Sequence, residues 1–192
     1  EKDLFEALYS ASVTETTSDS LKCTRTSRTD KGVSAAAAVI GIEIRGSGKA
    51  YEQIVAEVNS KLPSGQIRIH GIARTPDSFG AASCCDGRHY EYVLPLSAVK
   101  GDLNSTREVL KNFCGTHWFK SFTKPRLVAM KPQDDPISVF TRTIMSASVG
   151  DPFTFKGRKF ISILLHGRSF MIYQIRRMVG FVVVLVRSDS SA

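Results

Sequence analysis

The residue most suggestive of chemistry is Asp30, set between Arg28 and Lys31 and two positions ahead of Gly32. A carboxylate flanked by cations suits nucleophilic attack or the stabilisation of developing positive charge. Gly32 permits a tight turn or the close approach of a substrate backbone. A solvated turn aspartate is the competing reading of the same residues. Near the other end of the chain, Arg176 and Arg177 follow Gln174 and interrupt an otherwise apolar helical pattern. A guanidinium close to a core wants a carboxylate partner, because an unpaired buried charge is expensive. Arg176, four residues from both Ile172 and Gly180, is expected nearer the apolar stripe, and Arg177 on the solvated face.

Tyr90 and Tyr92 alternate on a strand that opens with Arg88 and His89. Aromatic rings beside basic residues can stack unpaired bases, although strand tyrosines often simply pack. Gly115-Thr116-His117-Trp118-Phe119 adds aromatics around His117, which is suited either to a phosphate contact or to a capping role.

These residues belong to a chain of 192 residues with 26 lysines and arginines against 18 acidic residues, a net charge of +8. That excess favours a polyanionic partner, because each neutralised phosphate releases condensed counterions. Charged residues are 23% and hydrophobic residues 42%, as in a globular protein with a substantial core. No apolar run reaches the roughly 20 residues that span a bilayer, so no membrane partner is expected. The four cysteines, Cys23, Cys84, Cys85 and Cys114, lack the spacing of a zinc site and read as reduced, inert thiols. The chain opens on Glu1 without an initiator methionine, as a fragment would.

Positioning these groups falls to a modest set of elements. Residues 10–20 read as a polar loop, and Ile40, Ile42 and Ile44 alternate as a half-buried strand. Gly46-Ser47-Gly48 turns the chain into a helix over 51–60, stopped by Pro63. Ile67 and Ile69 begin another strand, and Tyr90 to Leu94 form a third. Ser105 and Glu108 have the spacing of a capping box for a helix running to Phe113. Residues 123–136 carry three prolines and read as a loop. Strands follow near 139–145 and 160–165, and a last helix begins near Met171 with Ile172, Ile175, Val179, Val182 and Val186 at helical spacing. Strands outnumber helices without strict alternation, so the expected class is α+β with a largely antiparallel sheet.

Taken in order, five blocks resemble the TruA-type tRNA pseudouridine synthases, most of all their eukaryotic multisite branch. They are Arg28-Thr29-Asp30-Lys31-Gly32-Val33-Ser34-Ala35, Asn59-Ser60-Lys61-Leu62-Pro63, Arg88-His89-Tyr90-Glu91-Tyr92-Val93-Leu94-Pro95, the segment from Phe113 to Phe119, and that from Gly167 to Gly180. The resemblance implies the pseudouridine synthase fold: two subdomains, 1–95 carrying the aspartate motif and 96–192, sharing a central antiparallel sheet flanked by helices and an RNA-binding cleft. It also implies that Asp30 is catalytic, that Tyr90 packs on the target base and that Arg176 pairs with the Asp30 carboxylate. Arg28, Lys31, Arg88, His117, Gln174 and Arg177 are then expected to contact RNA. Tyr173 departs from the family, standing where a histidine is expected.

The reaction so implied detaches uracil from C1′, turns it and rejoins it through C5. It is redox-neutral and adds no atoms, so neither cofactor nor metal is expected. The partners expected are tRNA and possible further structured RNAs. Nuclear residence is expected, with the mitochondrion as the alternative, and both monomer and homodimer remain open. Two other readings compete: a non-catalytic RNA-binding module that needs neither Asp30 nor Arg176, and a structural protein that uses the apolar stretch 178–186 as an interface.

Overall fold

The computed structural model describes residues 2–14, 23–44, 48–124 and 137–189. The polar loop at 10–20, the Gly46–Gly48 turn and the proline-rich loop at 123–136 lie wholly or partly outside the described residues. The chain divides into two units, Glu1–Cys85 and Asp86–Ala192. The division falls ahead of residue 95 because the strand carrying Tyr90 hydrogen-bonds into the second unit's sheet.

In the first unit, helix α1 (Lys2–Ser10) turns Phe5, Ala7 and Leu8 inward against helix α2 (Tyr51–Lys61), which contributes Ile54 and Val58. Helix α2 matches the helix expected over 51–60, while α1 lies where no element was expected. Short strands β1 (Cys23–Arg25) and β2 (Ile40–Ile42) pair antiparallel, with Cys23 opposite Ile42 and Arg25 opposite Ile40. The expected strand at Ile67 and Ile69 is not a strand. Its backbone finds a side chain instead: the Asn59 amide donates to the Ile69 carbonyl at 2.9 Å and accepts the Ile69 N–H at 2.8 Å. Both groups that would otherwise demand a neighbouring strand are thereby satisfied, while both isoleucines still pack on the core.

The second unit is a five-stranded antiparallel sheet covered on one face by helices. Its strands are β3 (Arg88–Pro95), β4 (Gly115–Trp118), β5 (Thr141–Val149), β6 (Phe153–Phe155) and β7 (Arg158–Gly167). Their order is β3-β7-β5-β4, and β6 pairs with β7 through a two-residue turn. Lys156 and Gly157, at φ 47° and 74°, supply the two positive dihedrals of a type I′ hairpin. Alternate β7 residues Ile161, Ile163 and Leu165 are buried with Leu94 and Ile144 against α3 (Leu103–Lys111) and α4 (Gln174–Asp189). The fold is therefore α+β with antiparallel sheets, as expected; among the described residues each unit has a sheet of its own.

Two helix starts differ from expectation. The cap of α3 is Asp102, whose carboxylate accepts the Ser105 N–H at 2.9 Å, so Ser105 lies inside the helix and Glu108 pairs with Lys111. An aspartate can cap as well as a serine, and here it stands three residues earlier. Helix α4 begins at Gln174, not Met171, because Tyr173 has φ 65° and cannot be helical. Among the described residues, no helix is long and apolar enough to cross a membrane.

Two outcomes test this packing. Met178→Ala, at a site with 0% exposure, is expected to destabilise the fold by about 2–5 kcal/mol. Val184→Ala, on the 61% exposed side of the same helix, is expected to stay within ~0.5 kcal/mol by urea denaturation. Hydrogen bonds from the Ser105 hydroxyl and then the Ser105 N–H hold the Asp102 carboxyl below its ordinary 3.8. The folded pKa is depressed, so the cap's contribution is full above that ordinary value and fades as pH falls through the lower one. Asp102→Asn should flatten the acid side of the stability–pH curve.

Candidate active site

Asp30 stands in a long loop joining β1 to β2. The stem is clamped at Thr26, whose N–H donates to the Val39 carbonyl at 3.0 Å and whose hydroxyl accepts the Val39 N–H at 3.3 Å. This continues the β1–β2 pairing by one step beyond Arg25 and Ile40. Within the loop, the Val33 N–H closes a turn onto the Asp30 carbonyl at 3.0 Å, with Gly32 in its third position at φ 82°. A side chain in that position is rarely tolerated, so the glycine next to the aspartate is a backbone requirement. Asp30 is half-buried, and Arg28, Thr29 and residues 31–39 are exposed.

Beside this turn lies an open cavity of about 570 Å³. Arg25, Arg28 and Thr29 form its polar wall, and Ala35, Ala38 and Val39 its apolar floor. Small side chains leave room for a flat or ring-shaped ligand, and the two arginines suit an anionic one. Arg25 was not among the residues singled out from sequence. Its signal was there, however: a basic residue closing a strand immediately before the aspartate-bearing loop. Close packing holds the loop's base, since a Cβ on Gly41 would meet Thr24 Oγ1 at 2.6 Å and the Phe79 ring at 3.4 Å.

In the second unit, the candidate residues gather around the segment 168–177. The Arg88 guanidinium donates to the Arg168 carbonyl at 2.6 Å. The Tyr90 ring meets Phe170 edge-on at 5.1 Å, half-buried, and Tyr92 packs on the same core. Gln174 is fully buried, its amide oxygen accepting the Met171 N–H at 2.8 Å. It was expected to touch RNA; with no exposed atoms it braces the turn before α4 instead. The arginines exchange their expected places. The buried stripe of α4 runs through Gln174, Met178, Val182 and Val186, which leaves Arg176 exposed. Arg177 is the less exposed of the two and donates to the Ser121 carbonyl at 2.9 Å. His117 lies on edge strand β4, exposed, with a ring nitrogen 2.7 Å from the Cys114 carbonyl. Asp30, Arg28 and Lys31 belong to the first unit.

The turn before α4 has a feature that composition could not reveal. The Gln174 N–H closes it onto the Met171 carbonyl at 3.1 Å, with Tyr173 in the left-handed position. That backbone costs a non-glycine residue about 1–2 kcal/mol. Lys124 Nζ lies 5.5 Å from the Tyr173 ring centroid. An exposed contact of this kind contributes only about 0.5–1 kcal/mol. The ring contact thus does not offset the strain of holding a tyrosine there.

A tRNA pseudouridine synthase family model matches residues 109–191. Pseudouridylate synthase 1 homolog of Homo sapiens is 35% identical over 178 residues, covering 85% of this chain and 39% of the human protein. The tRNA pseudouridine synthase 1 of Yarrowia lipolytica is 26% identical, covering 99% of this chain and 53% of the yeast protein. That of Candida albicans is 26% identical, with 97% and 47% covered. The chain thus spans from two fifths to about half the length of these relatives. The Yarrowia alignment extends over 289 positions, longer than the chain, so that relative carries segments this chain lacks.

Gly32→Ala should be tolerated sterically, since a Cβ there meets nothing within 4 Å, yet cost about 1–2 kcal/mol from its φ alone. Denaturant unfolding measures this; an unchanged midpoint would mean that the Asp30 turn adopts another geometry.

Proposed function

Because this chain belongs to the tRNA pseudouridine synthase family, we propose that it isomerises uridine to pseudouridine in RNA, with tRNA as the substrate and Asp30 as the catalytic carboxylate. The observation that carries the proposal is the 35% identity with the human pseudouridylate synthase homolog across 85% of this chain. The glycine turn at Asp30 supports it, as do Arg25 and Arg28, which line a cavity just ahead of that turn in the chain.

The chemistry asks little of the protein beyond placement. Breaking the bond between uracil and C1′ builds positive charge on the sugar, which a carboxylate stabilises or traps. The released uracil turns and forms a new C1′–C5 bond; the C5 proton leaves to solvent, and N1, freed from the sugar, takes one up. All atoms and electrons are conserved with no cofactor. The uridine first has to leave its stack, at a cost of a few kcal/mol that cationic contacts and an aromatic surface offset. In this proposal Tyr90 packs on the target base and Arg176 pairs with Asp30 in an RNA-binding cleft. Arg176 is exposed on α4. Arg28, Lys31, Arg88, His117 and Arg177 supply phosphate contacts, with Gln174 holding the turn that presents the two arginines. Nuclear residence belongs to the same proposal, and imaging a tagged chain tests it.

Asp30→Ala is expected to lower tritium release from C5-labelled uridine in tRNA by at least about 100-fold, while the Kd for tRNA changes little. Release at the wild-type rate would refute Asp30 as the catalytic group. A wild-type chain that binds tRNA and releases no tritium would reduce the protein to an RNA-binding module.

A further inference from the structure

The strained tyrosine ahead of α4 is the feature the proposed chemistry leaves unexplained. Tyr173 occupies, at φ 65°, a position that tight turns usually give to glycine or asparagine. Its conformation is imposed from two sides. The buried Gln174 side chain accepts the Met171 N–H, and the Thr123 hydroxyl, also buried, donates to the Ile172 carbonyl at 3.2 Å. These bonds fix the residues on either side of Tyr173 and leave Tyr173 itself 41% exposed. A residue held in a sparsely populated conformation by its surroundings points to a function for the side chain so presented.

We propose that Tyr173 is a stacking platform for an unpaired nucleobase of the RNA, with Lys124 contacting the phosphate of the same stretch. The inference rests on the RNA-modifying reading and adds to it a base-contact residue that the aspartate chemistry does not require. Lys124 lies at the ring, 5.5 Å from its centroid, and Arg176 and Arg177 follow within one helical turn. An aromatic surface among cations suits a single-stranded polyanion, whose bases all offer a π-face. It suits a protein partner less well, because apolar interface cores are depleted of charge. The backbone that carries the ring is set before the ligand arrives, so little main-chain ordering opposes binding.

The test measures Kd of the full chain for an unmodified tRNA transcript at several salt concentrations, with melting temperature alongside. Tyr173→Phe is expected to bind within about 2-fold of wild type, since it keeps the stacking face. Tyr173→Leu and Tyr173→Gly are expected to bind about 5- to 100-fold more weakly. The salt dependence should be unchanged for both, and Tyr173→Gly should melt no lower than wild type because the strain is gone. Lys124→Gln should instead reduce the slope of log Kd against log salt by about one unit. Leucine and glycine variants that bind like wild type would overturn the inference while leaving the proposed reaction standing. So would a phenylalanine variant as weak as the leucine one, which would assign the effect to the hydroxyl. A wild-type chain with no affinity for the transcript would overturn both.

Discussion

Strand β7 is the member on which the second unit is assembled. It forms hydrogen-bond ladders with β3, β5 and β6 while carrying Ile161, Ile163 and Leu165 into the core. Side chains on a strand alternate between faces, so a slip of one residue would exchange that buried set for Ser162, Leu164 and His166. The register that prevents this also pairs Arg88 with Gly167 and Tyr90 with Leu165. The chain leaves β7 directly into Arg168, Phe170 and the turn before α4. The same hydrophobic constraint therefore brings Arg88 to Arg168 and Tyr90 to Phe170. The site residues of this unit are placed by core packing rather than by attraction among themselves.

What could be read in advance was whatever periodicity alone controls. The helix at Tyr51, the strand through Tyr90 and Tyr92, and the apolar stripe through Val179, Val182 and Val186 all follow from burial repeating at 3.6 or 2 residues. Ile67 and Ile69 show the limit of that logic. Their alternation is real and both pack on the core, yet a single amide from Asn59 takes the place of a partner strand. No local pattern announces such a substitution, because donor and acceptor lie ten residues away along the chain. Helix α1 has only nine residues, too few turns for the period of Leu4, Phe5, Ala7 and Leu8 to stand out.

The site was legible in kind more than in orientation. Asp30 beside a turn glycine was readable because Gly32 has a conformational task that few other residues can perform. The arginine pair was not: Ile172 and Gly180, the neighbours at helical spacing that put Arg176 near the core, are themselves exposed, and the buried stripe runs through Gln174, Met178, Val182 and Val186. The roles of these residues belong to the proposal, and the local physics says why each can be where it is.

The Asn59–Ile69 clasp has a consequence for motion. A segment held in a sheet opens only when neighbouring rungs break together, so its fluctuations are cooperative. The extended stretch after Gly65 is held instead by the two hydrogen bonds of the Asn59 amide and by isoleucine contacts with the core. Its opening is expected to be a local event, separate from the cooperative loss of a sheet.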